Sequence, residues 1–68
     1  MSDFLAPTQA QAAELVSRLQ AAEKTLMDML NAITDDFDVD PRWMAIGRAD
    51  LQKGFMSVCR SIARPNGD

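Results

Sequence analysis

A chain of 68 residues with one cysteine, no histidine and a net charge of −3 forms no intrachain disulfide and has too few soft ligands for a structural zinc. Chains this short rarely bury enough apolar surface to stand alone, which leaves self-association as the stabilising device. The acidic balance disfavours long nucleic acid, which is gripped through a broad basic field, and a single thiol suits a reducing cytoplasm.

The N-terminal stretch "MSDFLAPTQAQAAE" lacks the basic start and apolar core of a signal peptide, and no apolar run reaches transmembrane length. The expectation is a soluble, intracellular chain without membrane contact. Within that stretch, "SDFLA" predicts a short helix capped by Ser2 and stopped before Pro7. Thr8 and Gln11 then form the pattern of a capping box, in which the threonine hydroxyl accepts from the third helical amide and the glutamine reaches back. From there Ala12, Leu15, Leu19, Ala22, Leu26, Met29 and Ile33 step by three and four, the a/d seam of two helices packed side by side. Glu14, Ser17, Ala21, Lys24, Asp28 and Asn31 occupy the opposite side. The spacing predicts one long helix over about residues 8–34.

"DDFDVD", residues 35–40, predicts an acidic loop. Asp40 caps a second helix and Pro41 takes its first position. That helix ends near Arg64, because Pro65 lacks an amide and disfavours helix at the residue before it. A connection this short joins antiparallel neighbours. The predicted fold is therefore all-α: one domain over residues 1–68, an antiparallel two-helix hairpin assembled into a homo-oligomer.

On the second helix, Met44, Gly47, Leu51, Gly54, Phe55, Val58 and Ile62 fall on the side expected to meet the first helix. Gly47 and Gly54 are expected there to let the first helix approach closely, at about 1 kcal/mol each in helix propensity. The far side carries Ile46, Ala49, Met56 and Ala63, interleaved with Lys53 and Arg60. Ala49, Met56 and Ala63 repeat every seven residues, as a second coiled-coil seam does, and predict a subunit interface. The charge is split along the chain. Residues 1–40 hold eight acids against Arg18 and Lys24, whereas residues 41–64 hold Arg42, Arg48, Lys53, Arg60 and Arg64 against Asp50 alone. A local arginine cluster of this kind suits a small anion.

Catalytic chemistry is not in evidence. Without histidine, Cys59 has no base to lower its pKa, and it is expected to be a buried small residue. Asp35, Asp36, Asp38 and Asp40 lack the glycine and the distal glutamate of an EF-hand, and there is no glycine-rich phosphate loop. No enzyme, metal or cofactor is expected.

The segment "PRWMAIGRADLQKGFMSVCRSIARP", Pro41–Pro65, resembles the second helix of the small phage anti-CBASS cyclic-oligonucleotide sponges. The hairpin domain of one class of anti-Thoeris sponges shares that fold. The resemblance is carried by Asp40, Pro41, Arg42, Trp43, Ile46, Leu51, Gly54, Phe55, Met56, Arg60 and Pro65; the first helix matches in heptad character and length. It implies a homohexamer, in the cytoplasm of an infected bacterial host, that binds cyclic di- and trinucleotide messengers without cleaving them. Dinucleotides would lie between protomers and trinucleotides in separate pockets on three-fold axes. Arg60 carries over to the trinucleotide pocket, where Ala22 stands at the family's first-helix threonine. In the dinucleotide pocket the helix alignment puts Phe4 near the family's aromatic and Gln20 near its lysine, with Arg18 a half-turn away. Lys53, beside Arg60 on the same face, is a further candidate for phosphate. The competing reading is a homo-oligomeric helical-hairpin module that binds a protein or RNA partner; the acidic first helix argues against RNA.

Overall fold

The computed structural model describes residues 6–63. Two helices pack against each other as a hairpin: α1, Gln9–Asp36, and α2, Pro41–Ile62. The predicted N-terminal helix over "SDFLA" includes residues 2–5 and lies outside the described residues, as do Phe4, Arg64 and Pro65. No helix among the described residues is long and apolar enough to cross a membrane.

Each helix starts on a satisfied cap. The Thr8 hydroxyl accepts from the Gln11 amide at 3.0 Å while the Thr8 amide donates to Gln11 Oε1 at 3.0 Å. These bonds occupy amides that a helix start leaves without partners. The Asp40 carboxylate accepts from the amides of Arg42 and Trp43 at 2.9 and 3.2 Å, with Pro41 at the first helical position. α1 runs two residues past the expected end at Thr34. Asp35 and Asp36 belong to it, the connection shortens to 37–40, and the turn closes where the Phe37 amide donates to the Ile33 carbonyl at 2.9 Å.

The contact between the helices differs from the predicted one in a consistent way. On α1 the covered residues are Ala12, Val16, Leu19, Glu23, Leu26, Met27, Leu30 and Ile33; Leu15, Ala22 and Met29 stay exposed. On α2 they are Met44, Gly47, Arg48, Phe55, Cys59 and Ile62; Leu51, Gly54 and Val58 are exposed. Both helices have rolled the same way, by roughly half of the 100° turn that one residue makes. Two features accompany the roll. It exchanges Leu15, Ala22 and Met29 for Val16, Glu23 and Leu30, and it covers Met27 as well. It also lets the Arg48 guanidinium donate from Nη2 to Asn31 Oδ1 at 2.7 Å, a polar tie between the helices.

The same roll overturns the expected role of the glycines. A Cβ at Gly47 or Gly54 would meet nothing within 4 Å, so neither admits close approach of α1. The hairpin covers little overall. Among the described residues only Ala12 is buried, at 8 % exposure, and Cys59 is half-buried rather than enclosed.

Candidate anion-binding face

The cations of the described chain divide into engaged and unengaged sets. Arg18 Nε lies 3.0 Å from Glu14 Oε2, and Lys24 Nζ lies 2.9 Å from Asp28 Oδ2. Both pairs join adjacent turns of α1, the spacing at which opposite charges stabilise a helix surface. The hydrogen bond to Asp28, then its charge, holds the Lys24 ammonium above its ordinary pKa. Arg48 is tied to Asn31. The side chains of Arg42, Lys53 and Arg60 form no hydrogen bond or ion pair with any described residue.

These three share one side of α2. Arg42 and Arg60 are eighteen residues apart, which is five full turns, and Lys53 falls within about 20° of their line at 3.6 residues per turn. Their side points away from α1, and all three residues are exposed. Asp50, the only acid within α2, instead borders a groove of about 260 Å³ with Leu19, Leu51, Gly54 and Val58. The outer side of α2 is thus a column of three cations with Ile46, Ala49 and Met56 beside it. Arg60 sits in the last turn, where the helix C-terminus favours positive charge.

A larger groove of about 400 Å³ opens on the flank nearest this column. Gln20 and Glu23 of α1 line one wall, and Gln52, Phe55, Met56 and Cys59 of α2 line the other. Two carboxamides and a carboxylate beside an aromatic floor offer both donors and acceptors to a polar ring. Gln20 is therefore on the same flank as Met56 and one turn from the Arg60 level. Ala22 faces the opposite flank, and Arg18 is engaged with Glu14 on the outer surface of α1. Within one chain, then, the structure brings Gln20 toward the Lys53–Arg60 side and keeps Ala22 and Arg18 away from it. Phe4 lies outside the described residues.

Sequence reasoning missed two contributors, Glu23 and Gln52. Arg42 was named in the basic cluster, and its place in the column was legible from its eighteen-residue distance to Arg60. Glu23 and Gln52 were not, because a polar residue in an apolar strip carries no signal until the roll of the helices is known. Comparison of the chain with family models, curated proteins and solved structures returns no match.

Proposed function

We propose that the chain binds cyclic di- and trinucleotide second messengers and withholds them, intact, from bacterial anti-phage signalling, working as a homohexamer in the cytoplasm of the infected host. The observation that carries this reading is the cation column of Arg42, Lys53 and Arg60 on the outer side of α2, whose side chains have no partner among the described residues. Guanidinium groups grip phosphate oxygens in pairs, in a planar fork that matches the anion. An arginine already tied to a carboxylate does this less well, and Arg60 is tied to none of the described residues.

Spacing argues for more than one chain at each site. Lys53 and Arg60 stand about 10 Å apart along the axis and Arg42 about 16 Å further on, at 1.5 Å per residue. A single column cannot close around a small cyclic anion. A symmetric assembly brings several copies of Arg60 to one point, and the repulsion among them favours a ligand carrying one phosphate per copy. The resemblance at Pro41–Pro65 supplies the ligand class, and Gln20 in the neighbouring groove supplies a group able to read a base edge.

The experiment is a melting-temperature panel of cyclic di- and trinucleotides, followed by recovery of the bound ligand. A ligand at a hundred times its dissociation constant adds about 2.7 kcal/mol per linked site, a shift easily read in a protein this size. The ligand is then released with protease and identified by mass. Absence of any shift across the panel removes the nucleotide reading, and recovery of linear or hydrolysed nucleotide above a protein-free control replaces sequestration with catalysis.

A further inference from the structure

We infer that the groove between Glu23 and Met56 selects guanine, so that the cyclic dinucleotides this chain withholds are guanine-bearing ones. The inference rests on the nucleotide reading above and adds to it which base the site takes.

The first observation is a carboxylate where the packing pattern calls for an apolar side chain. Glu23 stands midway between Val16 and Leu30 on the covered strip of α1, seven residues from each, and is itself half-covered. It forms no hydrogen bond or ion pair with any described residue. Drawing a carboxylate partly out of water costs free energy unless donors meet it, and a polar residue on a helix seam costs stability. No contact among the described residues offsets either cost, which leaves Glu23 open to donors brought by a ligand.

The second observation is what surrounds that carboxylate. The Arg48–Asn31 bond sets the register of the two helices. Eight residues back along α1 and eight forward along α2, Glu23 stands opposite Met56; three more place Gln20 opposite Cys59. Both pairs line the groove, with Gln52 and Phe55 completing it. Along the axis Gln20 is about 4.5 Å from Glu23, and Gln52 is about 6 Å away in the other direction, at 1.5 Å per residue. A carboxylate that can only accept is thus flanked by two carboxamides that can donate. Glu23, Phe55 and Cys59 are half-covered and lie deepest, whereas Gln20, Gln52 and Met56 are exposed at the rim.

A base that enters edge first is read through the donors and acceptors of its pairing edge. Guanine presents N1–H and N2–H side by side with O6 next to them. That is a donor for each Glu23 oxygen and an acceptor for a glutamine amide. Adenine offers one donor and turns the N1 lone pair toward the carboxylate. Uracil sets one donor between two carbonyl oxygens, and cytosine has one donor beside two acceptors. Of the four bases, only guanine satisfies both carboxylate oxygens. The Phe55 ring supplies an aromatic surface for the base to pack on. Sugar and phosphate then lie over Met56 at the rim, toward Lys53, which is three residues from Met56 and so its neighbour on the helix surface.

Calorimetric titration of the parent with cyclic diguanylate and cyclic diadenylate tests the inference. The diguanylate binds about tenfold more tightly or better, the discrimination that one good bidentate pairing gives. Equal affinities, or a preference for adenine, overturn guanine selection and leave sequestration standing. Binding of neither ring overturns it too, and the trinucleotides of the panel then decide the wider reading. Glu23→Gln keeps the side chain's shape but presents one donor and one acceptor, the pair that adenine takes, so the guanine preference falls to about threefold or less. A parental preference in a variant with parental dichroism overturns the role of Glu23. Should that variant lose helicity, the double variant Gln20→Ala, Gln52→Ala, at two exposed positions, decides. It weakens diguanylate binding several-fold and leaves diadenylate binding unchanged; equal effects on the two rings overturn the inference.

Discussion

Replacing Arg60 with alanine separates ligand binding from folding more cleanly than any other single change. The side chain forms no bond with a described residue, so its loss costs the hairpin only the favourable placement of a cation in the last turn of α2. That contribution is about 0.3–1 kcal/mol at an exposed helix end. Against ligand the stake is larger. A hydrogen bond to a charged group contributes about 1.5–3 kcal/mol, and 1.4 kcal/mol is a factor of ten in affinity. One lost contact thus weakens binding roughly tenfold to a hundredfold. A cyclic trinucleotide held by symmetry-related copies loses several contacts at once, so Arg60→Ala costs well over tenfold in trinucleotide affinity. A dinucleotide bound in a pocket near Gln20 loses far less. The assay is calorimetric titration of parent and variant with one ligand of each size, with sedimentation to establish that the assembly persists. Unchanged trinucleotide affinity in an intact assembly refutes the reasoning, because the cation column would then be a solvated surface and nothing more.

Three further outcomes follow from the same geometry. Asp40→Ala removes a carboxylate that accepts from two amides; it lowers stability by about 0.5–2 kcal/mol, and thermal denaturation reads this as several degrees in a chain of this length. Arg48→Ala breaks the 2.7 Å tie to Asn31 and costs about 1 kcal/mol, read as a lower urea midpoint with an unchanged slope. Met56→Glu places a charge on a side chain that is 61 % exposed in the hairpin, so the helices keep their dichroism. Its effect falls on the proposed hexamer, and light scattering should find a smaller species than for the parent; an unchanged mass removes Met56 from the proposed interface.

The helical hairpin was readable in the sequence because its signals are local. Thr8 with Gln11 and Asp40 with Pro41 mark helix starts whatever else the chain touches, and a short acidic connection leaves the helices antiparallel. The roll of the helices was not readable. Leu19, Leu26 and Ile33 fit two seams equally well, and periodicity alone cannot choose between neighbours such as Leu15 and Val16 or Met29 and Leu30. The observed register comes with the Arg48–Asn31 bond, which joins residues seventeen apart and leaves no trace in the periodicity. The same ambiguity misplaced Gly54, while Gly47 is on the contact side as expected but has nothing within 4 Å of where a Cβ would stand. On the site, Arg60 and Lys53 stood out because cations are interleaved with the apolar residues Ile46, Ala49 and Met56 on one side of the helix. The separation of Ala22 from Gln20 was legible too, since residues two apart on a helix diverge by about 200°; that Gln20 takes the flank of Met56 emerged only with the fold.

The brevity of the connection at 37–40 also governs the order of events as the chain matures. Every contact between α1 and α2 closes around this one turn, and loops of a few residues close in well under a microsecond. Helical proteins dominated by such near-neighbour contacts fold in microseconds to milliseconds. Joining two chains is a bimolecular step whose rate constant is about 10⁵–10⁷ M⁻¹s⁻¹, so at micromolar concentration it takes about 0.1 to 10 s. In the proposed assembly, newly made hairpins would therefore form long before they find one another. Refolding followed by dichroism should finish early and without concentration dependence, while the quenching of Trp43 or the gain in scattering trails behind and accelerates with protein concentration.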